Sequence, residues 1–165
     1  MKLRTHALRM AAYNHWMNTK LLNAAALLSD EQRKKNVQAF FSSLHGTFNH
    51  LIASDRIWLS RFTHSHHGVQ ALNEELYTDF QTLRAARNEL DAKISGFAQS
   101  IPDEPPQELT YQKMSGMKET LVLDYETCVV HWFNHQTHHR GQATTIMMQL
   151  GLDPGVTDLI SMPSR

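Results

Sequence analysis

The sequence predicts an all-α protein organised as a four-helix bundle, and three observations support this fold class. Apolar residues recur at alternating steps of three and four along four long stretches, which is the spacing of one face of an α-helix. The signal for β-strands is weak by comparison. The chain has 165 residues and is 41% hydrophobic, which suits one domain over residues 1–165 with a sizeable core.

The predicted helices end where the sequence carries recognisable stop signals. The four helices are predicted at about residues 5–28, 37–62, 73–101 and 124–150. Ser29 and Asp30 interrupt the apolar spacing after the first helix. The prolines in 102–106 stop the third, because proline lacks an amide donor and clashes with the preceding turn. Gly151 is a good stop for the fourth helix.

The connection between the third and fourth predicted helices has no helical pattern. We expect residues 109–123 to be irregular or to form a short hairpin around Ser115 and Gly116. The length of this connection leaves room for a crossover, so a simple up-down order of helices does not follow from the sequence.

Charge and cysteine content exclude several classes of protein. Sixteen basic and sixteen acidic residues give a formal net charge of zero, and no basic block is present that would neutralise phosphates, so we expect no nucleic-acid partner. The single cysteine, Cys128, excludes an internal disulfide framework and suits a reducing compartment. We see no signal peptide and no apolar run near the roughly 18 residues that span a membrane. A cytoplasmic protein without a membrane partner is therefore expected.

Histidine is the unusual feature of the composition. The chain has eleven histidines, and four of them lie between His131 and His139 in the run HWFNHQTHHRGQ. Residues four apart stack on one face of a helix, so two imidazoles can reach one ion. A helical wheel places His135 and His139 towards the apolar arc, with His131 and His138 nearer solvent. Gln136 follows His135, so the glutamate of an HExxH zinc protease motif is missing.

Two interpretations of the His135 and His139 pair remain open at this point. The pair binds a metal ion, or it forms a hydrogen-bonded pair in the core, because buried imidazoles need partners. A catalytic zinc ion commonly has three protein ligands and one open position. The second predicted helix offers His45 at the edge of its apolar arc and His50 on another face, and the spacing does not choose between them.

Three motifs, in this order, resemble the DinB family, a damage-inducible group of proposed metalloenzymes. They are YNHWMN at 13–18, GTFNHLIASDRIWLSRF at 46–62 and NHQTHHRGQ at 134–142. The resemblance covers most of the chain, as far as LGLDPGVTDL near its end.

The resemblance implies a fold, a metal and a set of ligands. The fold is a four-helix bundle in up-down-down-up order. The metal site has three histidines, which are His50, His135 and His139 in this sequence. One divalent ion per chain is expected, and three imidazoles suit either zinc or nickel.

Five further residues are candidates for the surroundings of the site. Asn14, Asp55, Arg140 and Gln142 are polar and lie near the proposed ligands or at core-facing helical steps. Asp55 and Gln142 are predicted to accept hydrogen bonds from the ligating histidines. Trp16 is a candidate for the pocket wall. The alternatives are a salt bridge between helices for Asp55, a surface ion pair for Arg140 and ordinary core packing for Trp16.

The resemblance further implies a metal-dependent transferase or hydrolase that acts on a small molecule, with a low-molecular-weight thiol as a candidate cosubstrate. The alternative function is a non-catalytic metal-binding protein of a stress response. A ferritin-like di-iron bundle is excluded because the ExxH motifs are missing. We also predict a homodimer, since Phe40, Ile57 and Phe133 lie off the main apolar stripes.

Overall fold

The computed structural model describes residues 1–114 and 119–164 of the chain. Within these residues the protein is mostly helical, with five α-helices and a two-stranded sheet. The helices are α1 (Leu3–Ala25), α2 (Asp30–Lys34), α3 (Leu44–Thr63), α4 (Phe80–Ser100) and α5 (Tyr125–Gln149). The strands are β1 (Glu108–Gln112) and β2 (Thr120–Asp124), and a short 3-10 helix (Leu159–Ser161) follows α5.

Helices α2, α3, α4 and α5 each begin at a side-chain cap. Ser43 accepts the backbone N–H of Gly46 at the start of α3, and Asp79 accepts that of Thr82 at the start of α4. Such caps satisfy amides that have no partner within the helix. The predicted starts of these two helices at 37 and 73 were therefore wrong. The apolar spacing continues into the preceding loops, but the capping residues end the helical geometry.

The four long helices enclose the core in pairs. Helix α1 packs against α4 and α5, and α3 packs against the same two helices. Arg4 near the start of α1 donates to the carbonyl of Ile101 after α4, while Arg84 near the start of α4 donates to Asn23, at 2.7 Å. The largest fully buried side chains lie between the helices and include Met17, Leu51, Leu83 and Trp132.

The connection between α3 and α4 runs back along α3. Tyr77, close to the start of α4, donates its amide to Asn49 Oδ1 at 2.9 Å and accepts from Asn49 Nδ2 at 3.0 Å. Asn49 lies early in α3, so residues 64–79 return from the end of that helix to its beginning. This return path brings the carbonyl of Leu72 against His50.

Strands β1 and β2 form an antiparallel hairpin in which Glu108 pairs with Asp124. One of the two alternatives for 109–123 is thus confirmed. The turn expected around Ser115 and Gly116 lies outside the described residues. No helix in the part of the chain that the structure describes has the length and apolar character required to span a membrane.

Candidate metal centre

Two helices bring three histidines together. Helix α3 contributes His50, and α5 contributes His135 and His139, one turn apart. The ring centroids of His50 lie 5.4 Å from His135 and 4.5 Å from His139, and those of the α5 pair are 4.3 Å apart. One nitrogen from each ring lies within 4.8 Å of the others. This spacing suits one ion bound by three imidazoles, whose metal–nitrogen bonds are about 2.0–2.1 Å for zinc.

Outer hydrogen bonds engage the Nδ1 atom of each ring. His50 Nδ1 lies 2.8 Å from the carbonyl oxygen of Leu72, and His139 Nδ1 lies 2.7 Å from Gln142 Oε1. His135 Nδ1 lies 3.2 Å from the hydroxyl of Ser54. A carbonyl oxygen only accepts, so His50 and His139 carry their proton on Nδ1 and keep a lone pair on Nε2.

The Nε2 atoms of the α5 pair converge. His135 Nε2 and His139 Nε2 are 3.0 Å apart, and His50 Nε2 is buried without a hydrogen-bond partner among the described residues. A buried lone pair without a donor is costly, and metal coordination would satisfy it. Engagement of Nδ1 by an outer acceptor is also the usual arrangement of metal-binding histidines. All three residues therefore fit a divalent cation in donor type, and His50 and His139 fit it in tautomer as well.

Burial keeps these imidazoles neutral. It lowers the pKa of His50 to about 4, with a further contribution from the neighbouring His139. Burial, together with the surrounding histidines, lowers the pKa of His135 to about 3. The pKa of His139 is also lowered, mainly by burial. Neutral imidazole is the form that binds a metal, so the rings are ready to coordinate at pH 7.

The family model described as the DinB family matches residues 2–164. The chain belongs to the DinB family. It is similar to Protein DinB of Bacillus subtilis (strain 168), with 26% identity over 158 residues that cover 92% of this chain and 90% of that protein.

The four histidines between positions 131 and 139 differ in their burial. His139 is buried and His135 half-buried, while His131 and His138 are exposed, in agreement with the helical wheel. His45 points elsewhere, since its Nε2 lies 2.7 Å from the carbonyl oxygen of Tyr77. His45, the other candidate for the third ligand, is thus hydrogen-bonded to the α3–α4 connection.

Asp55 belongs to a separate buried network. Its carboxylate accepts from Arg87 Nη1 and Trp132 Nε1, both at 2.6 Å, and from the side chain of Gln136. Arg87 also pairs with Asp91 at 2.8 Å. The expectation that Asp55 supports a ligating histidine was therefore wrong. The salt bridge between helices, which was the alternative for this residue, is what the structure contains.

The remaining candidates divide into one partner of the centre and three other residues. Gln142 accepts from His139, as predicted. Asn14 is buried and has no hydrogen-bond partner within the described part of the chain. Arg140 is buried with its guanidinium 5.1 Å from the ring of Tyr13. The surface ion pair considered for Arg140 is excluded by this burial. Trp16 packs on Tyr13, at 6.0 Å between ring centroids.

Sequence reasoning missed two partners of the centre. Ser54 lies one helical turn after His50, so its position on α3 was a usable signal for a side chain on the same face. Leu72 acts through its backbone carbonyl, and no side-chain pattern indicates such a role. DinB-family motifs include Ser54 within the α3 segment but do not extend to Leu72.

Proposed function

We propose that the chain binds one divalent metal ion through the Nε2 atoms of His50, His135 and His139, and that it is a metal-dependent enzyme acting on a small molecule. Transferase and hydrolase chemistry are the proposed reaction classes. The observation that carries the proposal is a cluster of three imidazoles, each with one nitrogen within 4.8 Å of the others and each held at Nδ1 by an outer partner.

The ligand set supports catalysis over a purely structural role. Three neutral imidazoles leave a divalent ion its full charge, and the outer partners Leu72, Ser54 and Gln142 are neutral as well. A bound ion supplies Lewis acidity, which polarises a carbonyl group or lowers the pKa of a bound water or thiol. The protein orients the rings through Nδ1 and keeps them unprotonated by burial.

The number of protein ligands also supports an open position. Among the described residues, the group of donors within 4.8 Å contains three histidines, and neither His131 nor His138 belongs to it. Three protein ligands with a free position are typical of catalytic zinc sites, whereas four are typical of structural ones. The core between the long helices is a continuous cluster of buried apolar residues, so we expect folding without an ion, which is a further argument for a chemical role.

The proposed architecture is a four-helix bundle in up-down-down-up order, formed by α1, α3, α4 and α5. Contacts along the helices support it. His6 and Tyr13 of α1 meet Phe133 and Arg140 of α5 in the same order, which suits parallel helices. Arg4 to Ile101 and Asn23 to Arg84 pair α1 with α4 in reverse order, which suits antiparallel helices.

Metal, cosubstrate and assembly are proposals of the same kind. Zinc and nickel both suit three imidazoles, and a low-molecular-weight thiol is the proposed cosubstrate. Cytoplasmic location is proposed because the free Cys128 suits a reducing compartment. A homodimer is also proposed, although Ile57 and Phe133 prove to be buried within the chain, so only Phe40, which is 85% exposed, still supports it.

The test of metal binding uses protein purified without a histidine tag. Metal analysis should find close to one zinc or nickel ion per chain. His50→Ala should abolish this binding. His45→Ala is the matched control, since His45 lies on the same helix but bonds to the carbonyl of Tyr77. If His45→Ala loses the ion and His50→Ala keeps it, the ligand assignment is wrong.

The test of the catalytic role removes the ion with a chelator and follows helicity by circular dichroism. Apoprotein that keeps its helices and melts cooperatively supports a chemical role. Apoprotein that unfolds shows that the ion holds the helices together, and the non-catalytic metal-binding protein becomes the better interpretation. A screen of thiols with small electrophiles on the metal-loaded protein then tests the reaction class.

A further inference from the structure

The loop between α2 and α3 places an aromatic ring against two of the three histidines. The ring of Phe41 stacks on His50, with 3.8 Å between centroids and 16° between planes. The same ring lies 5.5 Å from His139 at 63°, an edge contact. Phe41 therefore covers one side of the centre and contacts a proposed ligand from each helix.

The backbone holds this ring in place. Gln38 and Ser42 have positive φ angles of 59° and 64°, which are uncommon for residues other than glycine and give the loop a sharp course. Val37 N–H donates to the Ser42 carbonyl and Ser42 N–H to the Ala39 carbonyl, both at 2.8 Å. These bonds fix the loop on either side of Phe41.

Gly46 allows the loop to lie directly on α3. A Cβ atom at this position would overlap the carbonyl oxygen of Phe41. Glycine is otherwise unfavourable inside a helix by about 1 kcal/mol relative to alanine. Its position in the first turn of α3 is explained by the close approach of the Phe41 backbone.

A cavity lies on another side of Phe41. It has a volume of about 390 Å³, within the usual range for small-molecule sites, and it is lined by Phe41 together with Lys34, His45, Asn49 and Glu74. Its lining is mainly polar, unlike the aromatic contact between Phe41 and His50. Phe41 thus contacts the histidine centre with its ring and is also one of the residues that line this cavity.

We propose that Phe41 is a specificity-determining residue that separates the cavity from the metal centre and so limits the size of the ligand that reaches the ion. The inference rests on the proposed function, because it requires a metal at the three histidines. A shorter side chain at position 41 should open a passage between the cavity and the metal centre. A longer ligand bound to the ion should then extend into the cavity. A purely structural Phe41 would affect stability without any dependence on ligand size.

The experiment uses Co²⁺-loaded protein and two probes that differ in size, imidazole and 4-phenylimidazole. Changes in the visible absorption of Co²⁺ report binding of each probe. In Phe41→Ala, the affinity for 4-phenylimidazole relative to imidazole should rise by about tenfold or more, and in Phe41→Trp it should fall. Leu27→Ala is the control, because this apolar side chain is exposed and does not line the cavity.

A second variant keeps the ring and moves the loop. Gly46→Ala should displace the Phe41 carbonyl and shift the affinity ratio in the same direction as Phe41→Ala, so the test does not depend on one variant folding well. Equal ratios in wild type, Phe41→Ala and Gly46→Ala would overturn the proposal while the proposed metal site stands. Wild-type protein that binds no Co²⁺ would overturn the metal site and this inference together.

Discussion

Replacing Gln142 by alanine removes the outer hydrogen bond that orients His139. The carboxamide oxygen lies 2.7 Å from His139 Nδ1, and the amide nitrogen lies 3.3 Å from Nε2 of the exposed His138. Loss of an outer partner of a metal-binding histidine costs about 10–100-fold in metal affinity, or about 1.4–2.7 kcal/mol. Gln142 is only half-buried, so water can replace part of the interaction. We therefore expect a loss of about tenfold in affinity.

A competition titration with a chromogenic chelator measures this loss for zinc. Gln149→Ala is the matched control, because Gln149 is an exposed glutamine near the end of the same helix. Gln142→Glu should restore the affinity, since a carboxylate also accepts from Nδ1. If Gln142→Ala binds zinc as tightly as Gln149→Ala, the outer hydrogen bond contributes nothing and the tautomer assigned to His139 loses its support.

Three further predictions concern the ligands, the core and pH. His139→Ala should weaken metal binding far more than His138→Ala, because only His139 faces the centre; equal affinities in the same titration would contradict this. Asp55→Ala should lower the free energy of unfolding by about 3 kcal/mol, because it leaves a buried charge without one of its partners, whereas the exposed Asp158→Ala should change little in urea denaturation. In metal-free protein, stability should fall as pH drops from 6.5 towards about 4, because the unfolded chain takes up a proton on His50 before the folded chain does. His50→Gln should reduce that fall by at most about 3 kcal/mol. Identical stability–pH profiles for wild type and His50→Gln would refute the lowered pKa of His50 in the folded chain.

The long helices were predictable because their apolar spacing is a local property. Helices α1, α3, α4 and α5 overlap the four predicted stretches. The starts of α3 and α4 were not predictable from this spacing, because apolar residues also occur in the loops that precede them. Val37 and Phe41 continue the spacing of α3 but belong to a loop whose turns depend on positive φ angles and on contact with Gly46.

The candidate site was predictable only in part, for a similar reason. The inward direction of His135 and His139 follows from their positions on one helix, because each residue rotates by about 100°. The pairing of Asp55 with Arg87 joins residues on different helices, and each of these side chains alone is compatible with several partners. Burial decides between those partners, and burial depends on how the helices pack.

The sequence by itself determined the helical class, the histidine pair on α5 and, through its motifs, the DinB-family resemblance. Helical spacing left His45 and His50 open, and the resemblance implied His50. Only the tertiary structure shows that His50 faces the α5 pair while His45 bonds to Tyr77, and that the Leu72 carbonyl holds His50 Nδ1. The physical reason is the sequence separation of the residues that interact. Side-chain direction within one helix follows from local geometry, whereas contact between helices and loops depends on which surfaces bury the most apolar area and satisfy the most backbone groups.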